Sequence, residues 1–377
     1  MERLIFVCVF IFMMNNAFLS SAQNKDSVSV KDSSGLSFWV FADIYYGYNF
    51  NLPPSRIDGE LVTGNSFLYS HNRHNEFNLN NGIVGVDYFK DKVRGILALQ
   101  AGTYVEYNYA NEPAMLKYVY EAYAGYQPIR NLWIDAGIFT SHIGSESAIS
   151  SENFTLSRSM MAENTPYYET GIRASYDINN KLKINGLILN GWQNITDHNK
   201  NKALGTQIQF KPTEHLLLNY STFLGKEAGA YEPTAGIPNT DSLSTRRFFN
   251  NFYCRAQLSK FTLLCSFDIG FQKKRKATGN YLWFNPNIIL NYSITEKFSA
   301  VARCEYYNDR NGVIIYTGTQ NGFQTIAGSF GLNFRLAEYL LWRLEGKVFE
   351  SKDRVFLNKD NPSEKSMLVL SSVAIKF

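Results

Sequence analysis

Apolar and polar residues alternate with a period of two along most of the chain. In the segment 340–348 the even positions are Leu, Trp, Leu, Gly and Val, whereas Arg343, Glu345 and Lys347 occupy odd positions. Similar alternation recurs at 93–106, 172–177, 261–272 and 297–307. Neighbouring side chains of a strand point to opposite faces of a sheet. The pattern therefore predicts long β-strands whose sheet has one apolar and one polar face.

Two all-β architectures contain such a sheet. In a soluble sandwich the apolar face packs in a core, whereas in an outer-membrane barrel it faces lipid and the polar face encloses a lumen. The predicted strands span roughly 10–14 residues, as a tilted membrane crossing requires, and soluble strands cluster near about 5–6. Aromatic residues at segment ends match the girdles of membrane barrels. They are Tyr104, Tyr107, Tyr118, Tyr120, Trp192, Tyr306, Tyr307 and Trp342. The barrel is favoured, and the sandwich is the alternative.

Sixteen segments can be counted, an even number, as closed antiparallel bacterial barrels require. They begin near Leu36, Arg73, Lys92, Leu116, Leu132, Tyr167, Lys181, Ala203, His215, Arg247, Phe261, Tyr281, Lys297, Phe323, Glu338 and Ser366. Short connections alternate with long ones, the arrangement of periplasmic turns and external loops. The long ones are 50–72, 108–115, 141–166, 193–202, 225–246, 273–280, 308–322 and 351–365. We predict an all-β protein, a transmembrane antiparallel barrel of about 16 strands surrounded by lipid of the bacterial outer membrane.

The first 22 residues match a cleaved export signal of the Sec type. Arg3 precedes an apolar run from Leu4 to Met14, and Ala22 follows small residues at cleavage spacing. The run is too short to span a bilayer, and an uncleaved N-terminal helix is the alternative. We assign residues 1–22 to the signal, 23–35 to a flexible periplasmic lead-in and 36–377 to the barrel.

The charge balance excludes some classes of function. The net charge of +4, from 37 basic and 33 acidic residues, argues against a nucleic-acid binder. Cys254, Cys265 and Cys304 remain after signal removal, and this odd number does not form a disulfide framework. Cys254 and Cys265 flank the turn at 259–260 equally and are predicted opposite each other on the lipid face. Free thiols are preferred over a disulfide there, because a hydrogen-bonded strand pair is poorly suited to bridging.

A barrel of this size is wide enough to enclose an aqueous channel. Charged side chains are costly on the lipid face, so those of the polar parity are predicted to point inward. They either pair across strands and solvate the lumen, or ring a constriction that selects solutes by charge. The candidate pore-lining residues are Arg94, Glu106, Glu121, Asp135, Glu169, Arg173, Arg255, Asp268, Arg303, Glu305, Arg335, Arg343, Glu345 and Lys347.

The third long connection, residues 141–166, is the candidate constriction. It is long and rich in hydroxyl groups, and its candidate residues are His142, Glu146, Glu152 and Arg158. The third external loop of porin-type barrels commonly folds into the lumen. An ordinary surface loop is the alternative.

Signs of catalysis are weak. Ser141, His142, Glu146 and Ser147 form the only compact group of nucleophile, base and acid types. The segment 144–148 lacks the final glycine of a nucleophile elbow. No phosphate-binding glycine loop or metal-ligand spacing occurs, so we predict no enzyme activity, no cofactor and no metal site.

Four segments resemble the OmpL-like β-barrel porin family of outer-membrane proteins. They are Gly137–Glu146, Thr165–Arg173, Asn190–Asn194 and Arg303–Asp309. The similarity runs over the whole mature chain. It implies a porin but identifies neither a substrate nor any catalytic residue.

The predicted function is therefore passive diffusion of small hydrophilic solutes or ions through the lumen. The alternative is a non-conducting barrel whose long loops, 50–72 and 225–246, bind a partner or surface ligand. The chain ends in an alternating strand with a terminal Phe377, which resembles the signal recognised by the barrel assembly machinery. A homotrimer is a further expectation, since porins are often trimers.

Overall fold

Sixteen antiparallel strands close into one barrel in the computed structural model. Strands that follow each other along the chain are neighbours in the wall, and the last strand pairs with the first. Both the fold class and the strand number predicted from the sequence are confirmed. No helix in the described part is long and apolar enough to cross a membrane. The predicted signal and the lead-in, except Gly35, lie outside the described residues. The structure describes residues 35–54, 56–57, 60–61, 65–232 and 240–377.

Short turns join the strands at one end of the barrel, the short-turn rim, and long loops join them at the other, the long-loop rim. Four of the twenty strands, β2, β3, β18 and β19, form two small hairpins outside the barrel wall. In chain order the strands are β1 (Leu36–Asn49), β2 (Arg56–Ile57), β3 (Glu60–Leu61), β4 (Glu76–Lys90), β5 (Val93–Ala101), β6 (Val119–Ile129), β7 (Leu132–Thr140), β8 (Tyr168–Asp177), β9 (Leu182–Leu189), β10 (Ala203–Thr213), β11 (Leu216–Glu227), β12 (Thr245–Leu258), β13 (Phe261–Lys273), β14 (Asn280–Ser293), β15 (Phe298–Asp309), β16 (Phe323–Ala337), β17 (Leu340–Ser351), β18 (Phe356–Asn358), β19 (Asn361–Ser363) and β20 (Lys365–Lys376).

The two-residue alternation determines which side chains face inward. On β17, Arg343, Glu345 and Lys347 are buried inside the barrel, whereas Leu344 and Val348 are exposed on the outer wall. Every predicted strand start falls within three residues of an observed one. The barrel closes between β1 and β20, where Val40 and Phe377 exchange two backbone hydrogen bonds of 2.7 and 3.0 Å.

The strand predicted over 93–106 is too long. It ends at Ala101, and the helix α1 (Thr103–Asn108) follows it. Gly102 lies between them with φ 138°, a backbone conformation that takes the chain out of the extended strand at little steric cost only for glycine. Glu106 therefore lies exposed on α1 instead of on the inner wall. A second short helix is α2 (Met160–Glu163).

The predicted aromatic girdle is only partly correct. Four of its aromatic residues pack inside the molecule instead of at the lipid interface; Tyr104, Tyr120 and Tyr307 are buried, and Trp192 packs against buried Phe223. A belt does occur on the outer wall near the short-turn rim. There Phe334 stacks between Phe298 and Trp342, and Tyr88, Tyr126, Tyr176, Phe210, Phe261 and Tyr292 are among its other exposed members.

The cysteines lie where the turn geometry predicts. Cys254 and Cys265 face each other across β12 and β13, and both, like Cys304, are free thiols. Leu258 and Phe261 close the turn.

Candidate functional site

Loop 141–166 enters the barrel and crosses its interior. Its first residues leave β7 beside β8, and its middle contacts strands on the opposite wall. Ser157, for example, donates its backbone N–H to Glu345 on β17 at 2.7 Å. The structure thus places this predicted loop among the inward-facing residues and away from the outer surface.

His142 holds the base of the loop. Its Nδ1 lies 2.9 Å from a carboxylate oxygen of Glu169, and its Nε2 lies 2.8 Å from the carbonyl oxygen of Thr222. Both neighbours accept hydrogen bonds, so both ring nitrogens must donate and the ring is an imidazolium ion. Burial alone lowers the pKa of His142, but the Glu169 carboxylate outweighs burial and raises it. A cationic histidine therefore fastens the loop to β8 and β11.

The same geometry argues against a catalytic triad at this cluster. Ser141 Oγ donates to Glu169 at 3.1 Å, not to His142. Because both nitrogens of His142 are already paired with acceptors, neither can accept a proton from a serine. The cluster is thus arranged to position the loop.

Charged side chains of β15–β17, which we call the anchored side, hold the middle of the loop by hydrogen bonds. Arg303 Nη2 donates to Ser157 Oγ at 2.7 Å and to Glu345 at 3.0 Å. Lys347 Nζ lies 2.8 Å from Glu305, whose carboxylate accepts the backbone N–H of Met160 at the start of α2. All these charged side chains are buried, and charge-assisted bonds are about twice as strong as neutral ones.

A second group of contacts fastens the loop to β17 and β1. Arg343 Nη1 donates to the carbonyl oxygens of Ser150 at 2.8 Å and Thr155 at 3.2 Å. Ser150 Oγ donates to Asp43 at 2.5 Å, and Asp43 also pairs with His71 at 2.8 Å. Asp43 therefore connects this loop with the first long connection, 50–72.

Arg158 and Glu146 organise the loop from within. The guanidinium of Arg158 lies over the rings of Tyr104 and Tyr167, 4.4 and 4.5 Å from their centroids. Glu146 accepts hydrogen bonds from Ser159, which also caps α2 by accepting from the Ala162 N–H. Burial raises the pKa of Glu146, although the Arg303 guanidinium opposes it.

Neutral hydrogen bonds hold Gly144 and Ser145 to β12 and β13, which together with β14 we call the neutral side. Gly144 N–H donates to Asn251 at 3.2 Å, and the hydroxyl groups of Ser145 and Ser266 lie 3.1 Å apart. A cavity of about 180 Å³ lies next to these contacts, between the loop segment 145–154 and the wall of β11–β14. The neutral side is therefore both the weaker attachment and the less filled one.

The part of the interior near the short-turn rim carries a separate charged group. Asp135 on β7 is buried and bridges Arg94 at 2.7 Å and Arg173 at 3.0 Å. The two arginine side chains are 24% and 16% exposed and also cover the rings of Trp133 and Phe139. Two cations share one carboxylate here, so this group presents positive charge to the interior.

The part near the long-loop rim is filled by apolar side chains. The interior is thus polar at the level of loop 141–166 and largely apolar between this loop and the long-loop rim. The inward-facing side chains therefore do not line an open channel along the whole length of the barrel. The buried cluster includes Phe139, Phe223, Phe249, Trp283, Tyr307, Phe323, Phe349 and Leu370 from the wall, and Leu156, Met160, Val313 and Ile315 from the loops.

The candidate pore-lining residues differ in position. Glu106 lies on α1, and Arg335 is exposed at the short-turn rim, where β16 has a bulge. Glu152 of the loop points toward β20, with its carboxylate 2.5 Å from Lys376 Nζ. The inner wall carries Arg94, Glu121, Asp135, Glu169, Arg173, Arg255, Asp268, Arg303, Glu305, Arg343, Glu345 and Lys347.

Reasoning from charge missed the neutral inward-facing groups. Asn251, Ser266, Asn285 and Asn287 contribute to the wall beside the loop and are buried. Their parity within their strands would have identified them, because they alternate with outward-facing apolar residues. Asp43 was missed because a single acidic residue stands in an otherwise aromatic strand.

Comparison with known proteins places this barrel in a family. The profile of the OmpL-like beta-barrel porin-2 family (BBP2) matches residues 35–377. No curated protein sequence matches the chain.

Solved structures share its fold at low sequence identity. The anion-selective porin from Comamonas acidovorans is 9% identical, with a TM-score of 0.60 over 91% of this chain and 99% of that one. OmpT of Vibrio cholerae is 9% identical, with a TM-score of 0.58 over 93% and 100% of the two chains. OmpF of Salmonella typhi, in complex with daunomycin, is 9% identical, with a TM-score of 0.59 over 92% and 99%. The chain belongs to the OmpL-like beta-barrel porin-2 family and is a porin-type β-barrel of the bacterial outer membrane.

Proposed function

We propose that the protein is a porin for passive diffusion of small hydrophilic solutes and ions, with loop 141–166 as its constriction. The observation that carries this proposal is the uneven attachment of the loop. Buried charged side chains of the wall hold it by charge-assisted hydrogen bonds on the anchored side, whereas Gly144 and Ser145 make neutral bonds on the neutral side.

The uneven attachment indicates where the passage opens. A neutral hydrogen bond contributes about 0.5–1.5 kcal/mol net, and a bond to a charged group about 1.5–3 kcal/mol. The contacts of Gly144 and Ser145 with β12 and β13 should therefore break before the charge-assisted bonds of the anchored side. Separation there would extend the cavity beside Tyr253 and Arg255 along the wall toward the long-loop rim.

A reversible cross-link tests this route. The serine hydroxyls of residues 145 and 266 lie 3.1 Å apart, so the double variant Ser145→Cys, Ser266→Cys can form a disulfide across the predicted opening. We expect the oxidised variant to lose conductance in planar lipid bilayers and to regain it when reductant is added. Wild type and each single cysteine variant, treated alike, control for Cys254, Cys265 and Cys304.

Two results would contradict the proposal. If wild-type protein, shown to be folded by its heat-dependent migration on gels, never conducts, diffusion through the barrel is wrong. If the oxidised double variant, with its cross-link verified by mass spectrometry, conducts like wild type, the loop is not the constriction on this route.

The apolar filling near the long-loop rim supports a second candidate, a non-conducting barrel whose loops bind a partner. Deleting part of either long connection, 50–72 or 225–246, separates the two functions. A porin keeps or gains conductance after the deletion, whereas a binding protein has no conductance to change and loses its ligand.

A further inference from the structure

One group of buried polar side chains on the neutral side has several atoms without a hydrogen-bond partner among the described residues. Asp268 on β13 is 0% exposed, and Asn285 and Asn287 on β14 are each 1% exposed. Asp268 Oδ1 accepts a hydrogen bond from Asn251 at 2.6 Å. Among the described residues, its Oδ2 and all four amide atoms of the two asparagines have no hydrogen-bond partner of good geometry, and the buried Tyr307 hydroxyl lies beside Asn285. Native proteins pair nearly all buried polar groups, so five unpaired atoms in one place point to a ligand.

These three side chains form a single cluster. Asp268 lies directly opposite Asn285 in the register of β13 and β14, and directly opposed residues have Cβ atoms about 4.5–5.5 Å apart. Asn287 is two residues further along β14 and shares the inward face. The short helix α2 of loop 141–166 packs over β14 and β15 beside this cluster.

The chemistry of the unpaired atoms limits the class of ligand. The carboxylate oxygen can only accept hydrogen bonds, whereas each amide both donates and accepts. A metal cation would pair the oxygens and leave both amide NH₂ groups without acceptors. A hydroxyl group both donates and accepts, so a molecule with neighbouring hydroxyls satisfies the carboxylate and both amides together.

The inward face of β14 places this cluster between two other features. Toward the long-loop rim the same row continues through Trp283 to Tyr281, whose ring lies 5.4 Å from that of Tyr231. In the other direction the next inward residue, Ile289, lines the cavity of about 180 Å³. Trp283 is packed in the buried apolar cluster, so the amides lie between apolar side chains and the cavity and supply the hydrogen bonds that hydroxyl groups require.

We propose that Asp268, Asn285 and Asn287 form a binding subsite for uncharged, hydroxyl-rich solutes of the sugar class. This proposal rests on the proposed function in one respect, because the subsite lies on the proposed route of solutes along the neutral side. Because α2 packs over it, occupation requires α2 to move away from β14.

The test measures binding separately from conductance. Maltotriose is titrated into the detergent-solubilised full-length mature protein, and the intrinsic fluorescence is followed, since Trp283 adjoins Asn285 in the row. The variants are Asn287→Leu and Asp268→Asn. The control is Asn291→Ala, because Asn291 is also buried and inward-facing on β14 but lies beyond Ile289. We expect saturable binding in wild type and the control, and about tenfold weaker binding in each subsite variant.

Several outcomes would overturn the subsite. Equal affinity in all four proteins, shown to be folded by gel migration, places binding elsewhere. No response to maltotriose but a saturable response to CaCl₂ identifies a cation site instead. If the barrel conducts but does not bind maltotriose, the porin function stands and the subsite is wrong. If it binds maltotriose but does not conduct, the subsite stands and the porin function is wrong.

Discussion

His142 shows how one buried side chain can fix a loop through charge. Its two ring nitrogens face the Glu169 carboxylate and the Thr222 carbonyl, and only the protonated ring satisfies both. A neutral side chain such as Asn or Ser at position 142 could not supply this positive charge. The attachment of loop 141–166 to β8 and β11 therefore depends on pH.

The pKa of His142 is raised in the folded protein. Its stabilising contribution is therefore fully present below the unfolded-state pKa, about 6.5, and is lost as pH rises through the folded-state value. We expect His142→Gln to be less stable than wild type at pH 6, by about 1–3 kcal/mol, and this difference to shrink as pH is raised above neutrality. Urea unfolding in lipid vesicles between pH 6 and pH 9 measures it. The exposed His215→Gln is the control, and a difference that stays constant with pH would refute the imidazolium assignment.

At the scale of elements, the chain direction changes abruptly where β5 meets α1. The apolar parity of β5 continues to Val105, with Tyr104 beside it, so a strand pattern could not predict the helix. The helix forms because both side chains pack in a buried cluster with Ile83 and Tyr109. Gly102 allows the change, because its φ of 138° is one that residues with a Cβ rarely adopt.

Gly102→Ala should therefore destabilise the barrel. A Cβ atom there would lie 2.4 Å from the backbone oxygen of Asn80, in addition to the strained φ. We expect a loss of about 1–3 kcal/mol in the free energy of unfolding. Gly186→Ala is the matched control, since a Cβ on Gly186 meets no atom within 4 Å and its φ is not in the left-handed range. Equal stability of the two variants would show that Gly102 is not required.

The sequence predicts the strands better than the interior. Strand positions follow from local alternation, and the cost of charge in lipid directs residues such as Arg303 and Glu345 inward. The contacts of loop 141–166 depend instead on residues far away in the chain; Ser157 and Glu345 are 188 positions apart. Neutral groups such as Asn287 can be assigned to the inner face only from their parity within the strand, because an amide side chain carries no charge that lipid would exclude. The sequence therefore predicts which charged residues face inward, but it does not predict which of them contact loop 141–166.

At the scale of the whole molecule, the barrel is completed by the last residue of the chain. Phe377 pairs with Val40 through its backbone, while its side chain is 49% exposed. The backbone bonds serve closure, so the exposed ring is available for recognition during assembly in the outer membrane.

Phe377→Ala tests this separation of roles. We propose that the assembly machinery recognises this ring, and we expect severalfold less assembled protein in the outer membrane when it is missing. Refolding of the purified variant into detergent should match wild type, because alanine keeps the backbone pairing with Val40. Heat-dependent gel migration measures both. Equal amounts in the outer membrane would show that the ring has no role in assembly.

The long span between the loop and its partners has a consequence for biogenesis. Residues 141–166 are synthesised well before β15–β17, yet their binding partners are Arg303, Glu345 and Lys347. The loop cannot form these contacts until β15–β17 have joined the barrel wall. Contacts between residues so distant in sequence form slowly. The barrel thus acquires its outer shell first, and its interior is the last region to reach the native state.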